Sequence, residues 1–278
     1  MIRIFKNKRI GLLLLAVCSD VVMAEEKIAT ALPIAQALSE SLLNKTTVEA
    51  VYLPPERLPV KRISSWLKNK SHERLQSAGP FVALVTVESL WPRYALYGKL
   101  RRQDIGVIPI DIARELNEPG TRVRISADPQ LLDSYFWLAP DNLQVMSQIL
   151  ARDLSRIWPD QAEQIFLNLQ QLQQQIQLFS LRLEQQLIDQ NVTAICVMNL
   201  ELTPLAEAMF LPLENAEHCP EEALRVGRLS PSPEFVTLRW SLDPAEKPLN
   251  QGIEAWLNGN FDRLQRALDP ENLQTRID

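Results

Sequence analysis

Apolar positions along this chain alternate between short continuous runs and spacings of three and four. Those are the signatures of buried strands and amphipathic helices. Residues 27–32 read as a strand, and 33–43 as a helix with Pro33 in its first turn. A Val- and Tyr-rich strand at 47–53 is stopped by Pro54-Pro55, and a weaker helical pattern covers 63–75. "FVALVTV" (81–87) is almost wholly apolar, as expected of a strand covered on both faces. A helix near 89–101 and a strand at 105–110 complete this stretch. Strand–helix alternation of this kind predicts a parallel sheet flanked by helices, with its ligand edge at the carboxyl ends of the strands.

The next segment is helical. Pro140 and Asp141 suit a first turn, and Leu143, Met146, Leu150, Leu154 and Ile157 share one face. After Pro159 a second helix is predicted over 160–189, lined by Ile165, Leu169, Leu172, Ile176, Phe179, Leu183 and Leu187. At 1.5 Å per residue it spans roughly 45 Å, long enough to run from one domain into the next. Beyond it, "VTAICVM" (192–198) and "FVTLRW" (235–240) read as strands, 204–210 as a short helix and 249–268 as a closing helix. Prolines punctuate the segments between them, and no internal repeat is visible. The predicted class is α/β: two lobes with parallel βα sheets bridged by one long helix, the second lobe reduced. The expected boundaries are 25–158 for the first lobe, 159–190 for the connecting helix and 191–278 for the second.

The first 24 residues fall outside that pattern. Arg3, Lys6, Lys8 and Arg9 precede an apolar run, and Val22-Met23-Ala24 has small-residue cleavage character, so 1–24 reads as a secretory signal. Cleavage there leaves 254 residues with 25 basic and 33 acidic side chains, a net charge of −8. That balance argues against nucleic acid or an anionic membrane surface as partner. A periplasmic or secreted monomer is expected. Two cysteines remain, Cys196 and Cys219. In an oxidising compartment they are either a disulfide or a buried thiol plus an unrelated loop cysteine, and both readings stay open.

Three stretches carry a resemblance. "YLPPERLPV" (52–60), "DSYFWLAPDN" (133–142) and "MNLELTPLA" (198–206) are similar to segments of the periplasmic solute-binding proteins of zinc and manganese ABC importers. In that family the segments read Pro-Pro with a loop ending in Pro-His, Asp-Pro-His-x-Trp-Leu-x-Pro-x-Asn, and Phe-His-Asp-x-Phe-x-Tyr-Leu-Ala. The resemblance covers most of residues 27–210 and fades afterwards, although the last helix fits the family's closing one. It implies two lobes on a rigid helix, cargo captured between them, and an inner-membrane ABC permease as partner.

The departures concern the ligands. Each family segment supplies a metal-binding histidine, and here those slots hold Val60, Tyr135 and Asn199. The family's fourth ligand, an acidic group in the second lobe, cannot be placed. His72 and His218 fall on no family slot. Tyr135 could ligate a ferric ion as phenolate, hydrogen-bond to an organic or chelated ligand, or fill vacated space. Tyr94 and Tyr97 are further candidates for the cleft, whereas Trp91 and Trp137 read as packing aromatics. No catalytic motif or phosphate-cradling glycine loop is present, so no enzyme and no resident cofactor are expected. Two functions stay open: a receptor in a metal-type import system, with a metal or its chelate as cargo, or an envelope accessory or interaction protein that binds no metal ion.

Overall fold

A computed structural model describes residues 26–115, 120–214, 216–229 and 238–269. The expected export signal lies outside them. From the amino-terminal side the chain forms β1 (Glu26–Thr30), α1 (Pro33–Leu42), β2 (Val48–Tyr52), α2 (Val60–Asn69), α3 (Ser71–Ala78), β3 (Ala83–Thr86), α4 (Tyr97–Gln103) and β4 (Ile108–Asp111). Its four strands make an all-parallel sheet in the order β2-β1-β3-β4. Every residue of β3 is buried, which explains the unbroken apolar run that announced it.

Two helices expected in this lobe are divided. The pattern at 63–75 is two helices that meet at Lys70, whose backbone (φ −132°, ψ 0°) leaves the helical range. The helix expected near 89–101 starts only at Tyr97 and follows a 3-10 turn at Pro92–Tyr94. Pro92 pushes Trp91 out of the helical region (φ −119°, ψ 74°). The Glu88 carboxylate then accepts the amides of Leu96 and Tyr97, at 2.7 and 2.8 Å, and sets the later start.

α5 (Pro140–Ile157) leads through a 3-10 turn at Pro159–Gln161 into α6 (Ala162–Asp189), a helix of 28 residues. Its predicted face is the buried one, Ile165 through Leu187, and it packs on α1, α5 and α8 (Gly252–Leu268), so it touches helices of both lobes. Asn168 secures it to the first lobe by donating to the carbonyls of Leu42 and Asn44, each at 2.8 Å, where α1 runs out of internal partners.

The second lobe contains β5 (Ile195–Val197), α7 (Thr203–Ala208), β6 (Leu213–Glu214), β7 (Leu224–Arg228) and β8 (Arg239–Leu242), closed by α8. Its sheet is parallel, in the order β6-β5-β7-β8. This is the order of the first sheet with every strand number raised by four, a repetition the sequence does not display. The second sheet keeps four strands, and between β6 and β7, where the first lobe has two helices, the described residues hold a 3-10 turn at Ala216–His218. β7 was absent from the sequence reading, because Arg225, Gly227 and Arg228 interrupt any apolar run and only Leu224 and Val226 mark it. Cys196, on β5, and Cys219, in the loop before β7, are joined by a disulfide with Cα atoms 5.8 Å apart. Among the described residues no helix is long and apolar enough to cross a membrane.

Candidate functional site

The carboxyl ends of the two sheets face one another, and the segment around Tyr135 lies between them. Its backbone is tied to the second lobe: the Tyr135 amide donates to the Glu201 carbonyl at 2.9 Å, and Ser134 Oγ to the Leu200 carbonyl at 3.3 Å. The Trp137 indole donates to the Pro244 carbonyl at 3.1 Å. Trp137 is fully buried and stacks on Tyr135, with ring centroids 4.9 Å apart, while Trp91 meets Tyr94, Phe136 and Trp137 at 5.1–5.4 Å. Both tryptophans are buried in the core, and Trp91 also borders a cavity.

Tyr135 donates its phenolic proton to Glu246 Oε1. Glu246 follows β8 in a loop that α8 shapes: Asn260 Oδ1 accepts the Asp243 amide at 2.9 Å, its Nδ2 donates to the Asp243 carbonyl at 3.1 Å, and Trp256 donates to that carbonyl at 2.9 Å. Ala245 adopts a left-handed backbone (φ 57°) with its amide on Asp243 Oδ1, which turns the next residue towards the first lobe. There the Glu246 carbonyl accepts the Val60 amide at 3.2 Å, at the start of α2. Tyr94 donates to the Val60 carbonyl at 3.2 Å.

Arg228, the last residue of β7, bridges two carboxylates. Its Nη1 donates to Glu201 Oε1 at 2.9 Å and its Nη2 to Glu246 Oε2. Glu201 also receives Lys61 from the first lobe at 3.0 Å. Asn199 Oδ1 accepts the Arg228 amide at 3.0 Å, which fixes the end of β7 against the end of β5. Two cations and two carboxylates thus meet at the junction with no formal charge left over. The Glu201 and Glu246 side chains are only 18% and 17% exposed, so the attraction acts in a partly desolvated setting.

Burial, and then the hydrogen bond to Glu246 and its charge, push the Tyr135 phenol well above the ordinary tyrosine value. It keeps its proton at neutral pH, so it serves as a donor and not as a phenolate ligand. Burial alone would raise the Glu201 carboxyl. The bonds from its own amide and from Lys61, with the charges of Lys61 and Arg228, outweigh burial and hold it below the usual carboxylate range.

Of the residues singled out from the sequence, Val60, Tyr94, Tyr135 and Asn199 converge on this junction. Tyr97 does not: it starts α4, with its amide on Glu88 and Arg101 over its ring at 5.8 Å. Val60 contributes only its backbone, because its side chain is fully buried. Sequence reasoning missed Arg228, Glu201, Glu246 and Lys61. Glu201 lay inside a quoted segment and Lys61 directly after one, so both were findable as charged residues beside expected ligand slots. Arg228 sat on a strand that was not foreseen. Among the described residues, no three His, Cys, Asp or Glu side chains are placed to hold a metal ion together.

Two parallel-sheet lobes joined by one long helix are also the fold of ZnuA and its structural relatives. No family model matches the chain, and no curated protein matches it in sequence. Among solved structures it is similar to ZnuA, at 16% identity and a TM-score of 0.60 over 88% of this chain and 98% of that one. It is also similar to the solute-binding protein FpvC from Pseudomonas aeruginosa in complex with Mn2+, at 12% identity and a TM-score of 0.65 over 89% and 100%. The Zn(II)-bound ZnuA-like domain of AdcA from Streptococcus pneumoniae matches at 13% identity and a TM-score of 0.61, over 88% and 100%. At these identities the likeness is one of fold.

Proposed function

We propose that this protein is the exported receptor of an ABC-type import system with metal-receptor architecture, and that its interlobe junction does not take a bare metal ion. The single observation behind this reading is Arg228. Its guanidinium lies between Glu201 and Glu246, where the histidine slots converge, and supplies the positive charge that a metal ion would bring. Asn199 and a protonated Tyr135 are poor zinc ligands, and Val60 offers none. The cargo is then a chelate or an organic molecule, and the partner is an inner-membrane permease to which the closed lobes are presented. Residues 1–24 are the signal that delivers the chain to the envelope.

Equilibrium dialysis of the mature, tag-free protein against zinc, manganese and ferric ions tests this. The expected result is no stoichiometric binding. One ion per chain, released by Glu246→Gln, would overturn it. A second reading, an envelope accessory protein without cargo, draws on the direct contacts by which Lys61, Val60 and Tyr135 tie the lobes together. Photocrosslinking in intact cells separates the two, since the receptor reading requires an integral-membrane permease subunit among the products.

A further inference from the structure

A second interlobe space lies behind the aromatic wall of Trp91 and Phe136. It is a cavity of about 200 Å³, bounded on the first lobe by those rings and Leu131, and on the second by Thr203, Ala208 and Phe210 on and just after α7. Like the junction, it lies past the carboxyl ends of β3 and β5, the edge where α/β sheets receive ligands. A guest here would touch both lobes at once.

Its hydroxyl and amide side chains, Ser134, Thr203 and Asn142, are already hydrogen-bonded, and its charged lining residues, Arg124, Asp141 and Glu207, are exposed and stand at its open rim. Ser134 and Thr203 both donate to the Leu200 carbonyl, at 3.3 and 2.8 Å. The Asn142 amide donates to the carbonyls of Arg124 and Phe136 and accepts the Arg124 amide, at 2.7–2.8 Å. The remaining lining is mainly carbon, from Leu90, Leu131, Leu132 and the two rings, and apolar cavities of roughly 150 Å³ admit benzene. The Asn142 bonds also pin the backbone at Arg124 through both its amide and its carbonyl, so this wall of the space is preformed.

Phe210 marks the mouth. It is 87% exposed and holds a left-handed backbone (φ 54°) just past the end of α7, a position that favours glycine. A large aromatic ring is thus held in an unfavourable conformation, in water, at the rim of an apolar cavity.

We propose that this cavity binds a compact, uncharged, largely apolar organic molecule about the size of one or two fused rings, with the Phe210 ring packing over it. That this guest is the cargo rests on the receptor reading above. The binding itself does not, and is measured on purified protein. Isothermal titration with indole, using the disulfide-bonded mature chain, is the test. One saturable site per chain is expected, with Kd on the order of 100 μM. Ala208→Trp, at a half-buried helical position, fills the space and abolishes binding. Phe210→Gly removes the ring and the backbone strain together, so it weakens binding about tenfold without lowering Tm. Absence of saturable binding by the wild type up to about 5 mM would overturn the assignment, as would binding unchanged in both folded variants. If indole binds while photocrosslinking finds no permease, the cavity stands and the receptor reading fails.

Discussion

Tyr135 and Glu246 are hydrogen-bonded across the junction between the lobes, the phenol donating to the carboxylate. The same carboxylate takes Arg228 on its other oxygen, and its backbone carbonyl takes the Val60 amide. Glu246 is therefore the point where the chain closes on itself, and Arg228 is the cation that makes two carboxylates tolerable there.

Arg228→Ala should loosen that closure. Both carboxylates would remain without their guanidinium in a partly buried place, and such losses cost about 2 kcal/mol when the group is not fully sealed from water. Arg228→Lys should recover only part of this, because an ammonium cannot span two carboxylates as a planar fork does. Urea midpoints of the three proteins, with the radius of gyration from X-ray scattering, check both points. Equal midpoints would show that the bridge adds nothing to stability.

The position of Glu201 predicts an acid response. Its folded carboxyl is held below its ordinary value, so its contribution is intact at neutral pH and down to the unfolded value near ~4.3. The contribution then declines as pH falls further and is gone below the depressed folded value. Urea midpoints measured from about pH 7 to about pH 3 should fall more steeply in the wild type than in Glu201→Gln.

Closing the Cys196–Cys219 loop, a separation of 23 residues, should stabilise the second lobe by about 3 kcal/mol through the entropy of the unfolded chain. The double variant Cys196→Ala/Cys219→Ser should unfold at correspondingly lower urea, with the first lobe's sheet unchanged by circular dichroism. If its midpoint matches that of the oxidised wild type, the bridge is not a stabilising element.

Much of the fold was legible because it rests on periodicity. The uniform burial of β3, the face of α6 and the proline-led start of α5 all leave a pattern of apolar positions. The candidate site was half legible. Val60, Tyr135 and Asn199 could be found because local motifs frame them, but a motif says where a ligand was expected and not what replaced it. Arg228 was hidden for a physical reason. A strand whose outward residues are arginines carries only two apolar positions, too few for a period to show. Glu246 depends on a left-handed alanine and on the grip of α8 on Asp243, contacts between residues far apart in sequence. The repeated sheet order was invisible because strand order belongs to topology, which many unrelated sequences can satisfy.

If Arg228 occupies the position of a metal ion, removing it while restoring one imidazole should recreate an ion site. Tyr135→His/Arg228→Ala brings a histidine to Glu246 with Glu201 nearby, three donors of the kind that bind zinc with a fourth position left to water. Arg228→Ala alone lacks the imidazole, and Tyr135→His alone keeps a guanidinium on both carboxylates. Only the double variant should therefore bind zinc, with an affinity on the order of micromolar, and lowering the pH should release the ion as the histidine and carboxylates take up protons. Equilibrium dialysis of all four proteins decides this. Zinc bound equally by the double variant and by Tyr135→His would mean that the ion sits elsewhere and that Arg228 does not block it. No binding by a folded double variant would mean that the two lobes no longer hold their carboxylates at a distance one ion can span.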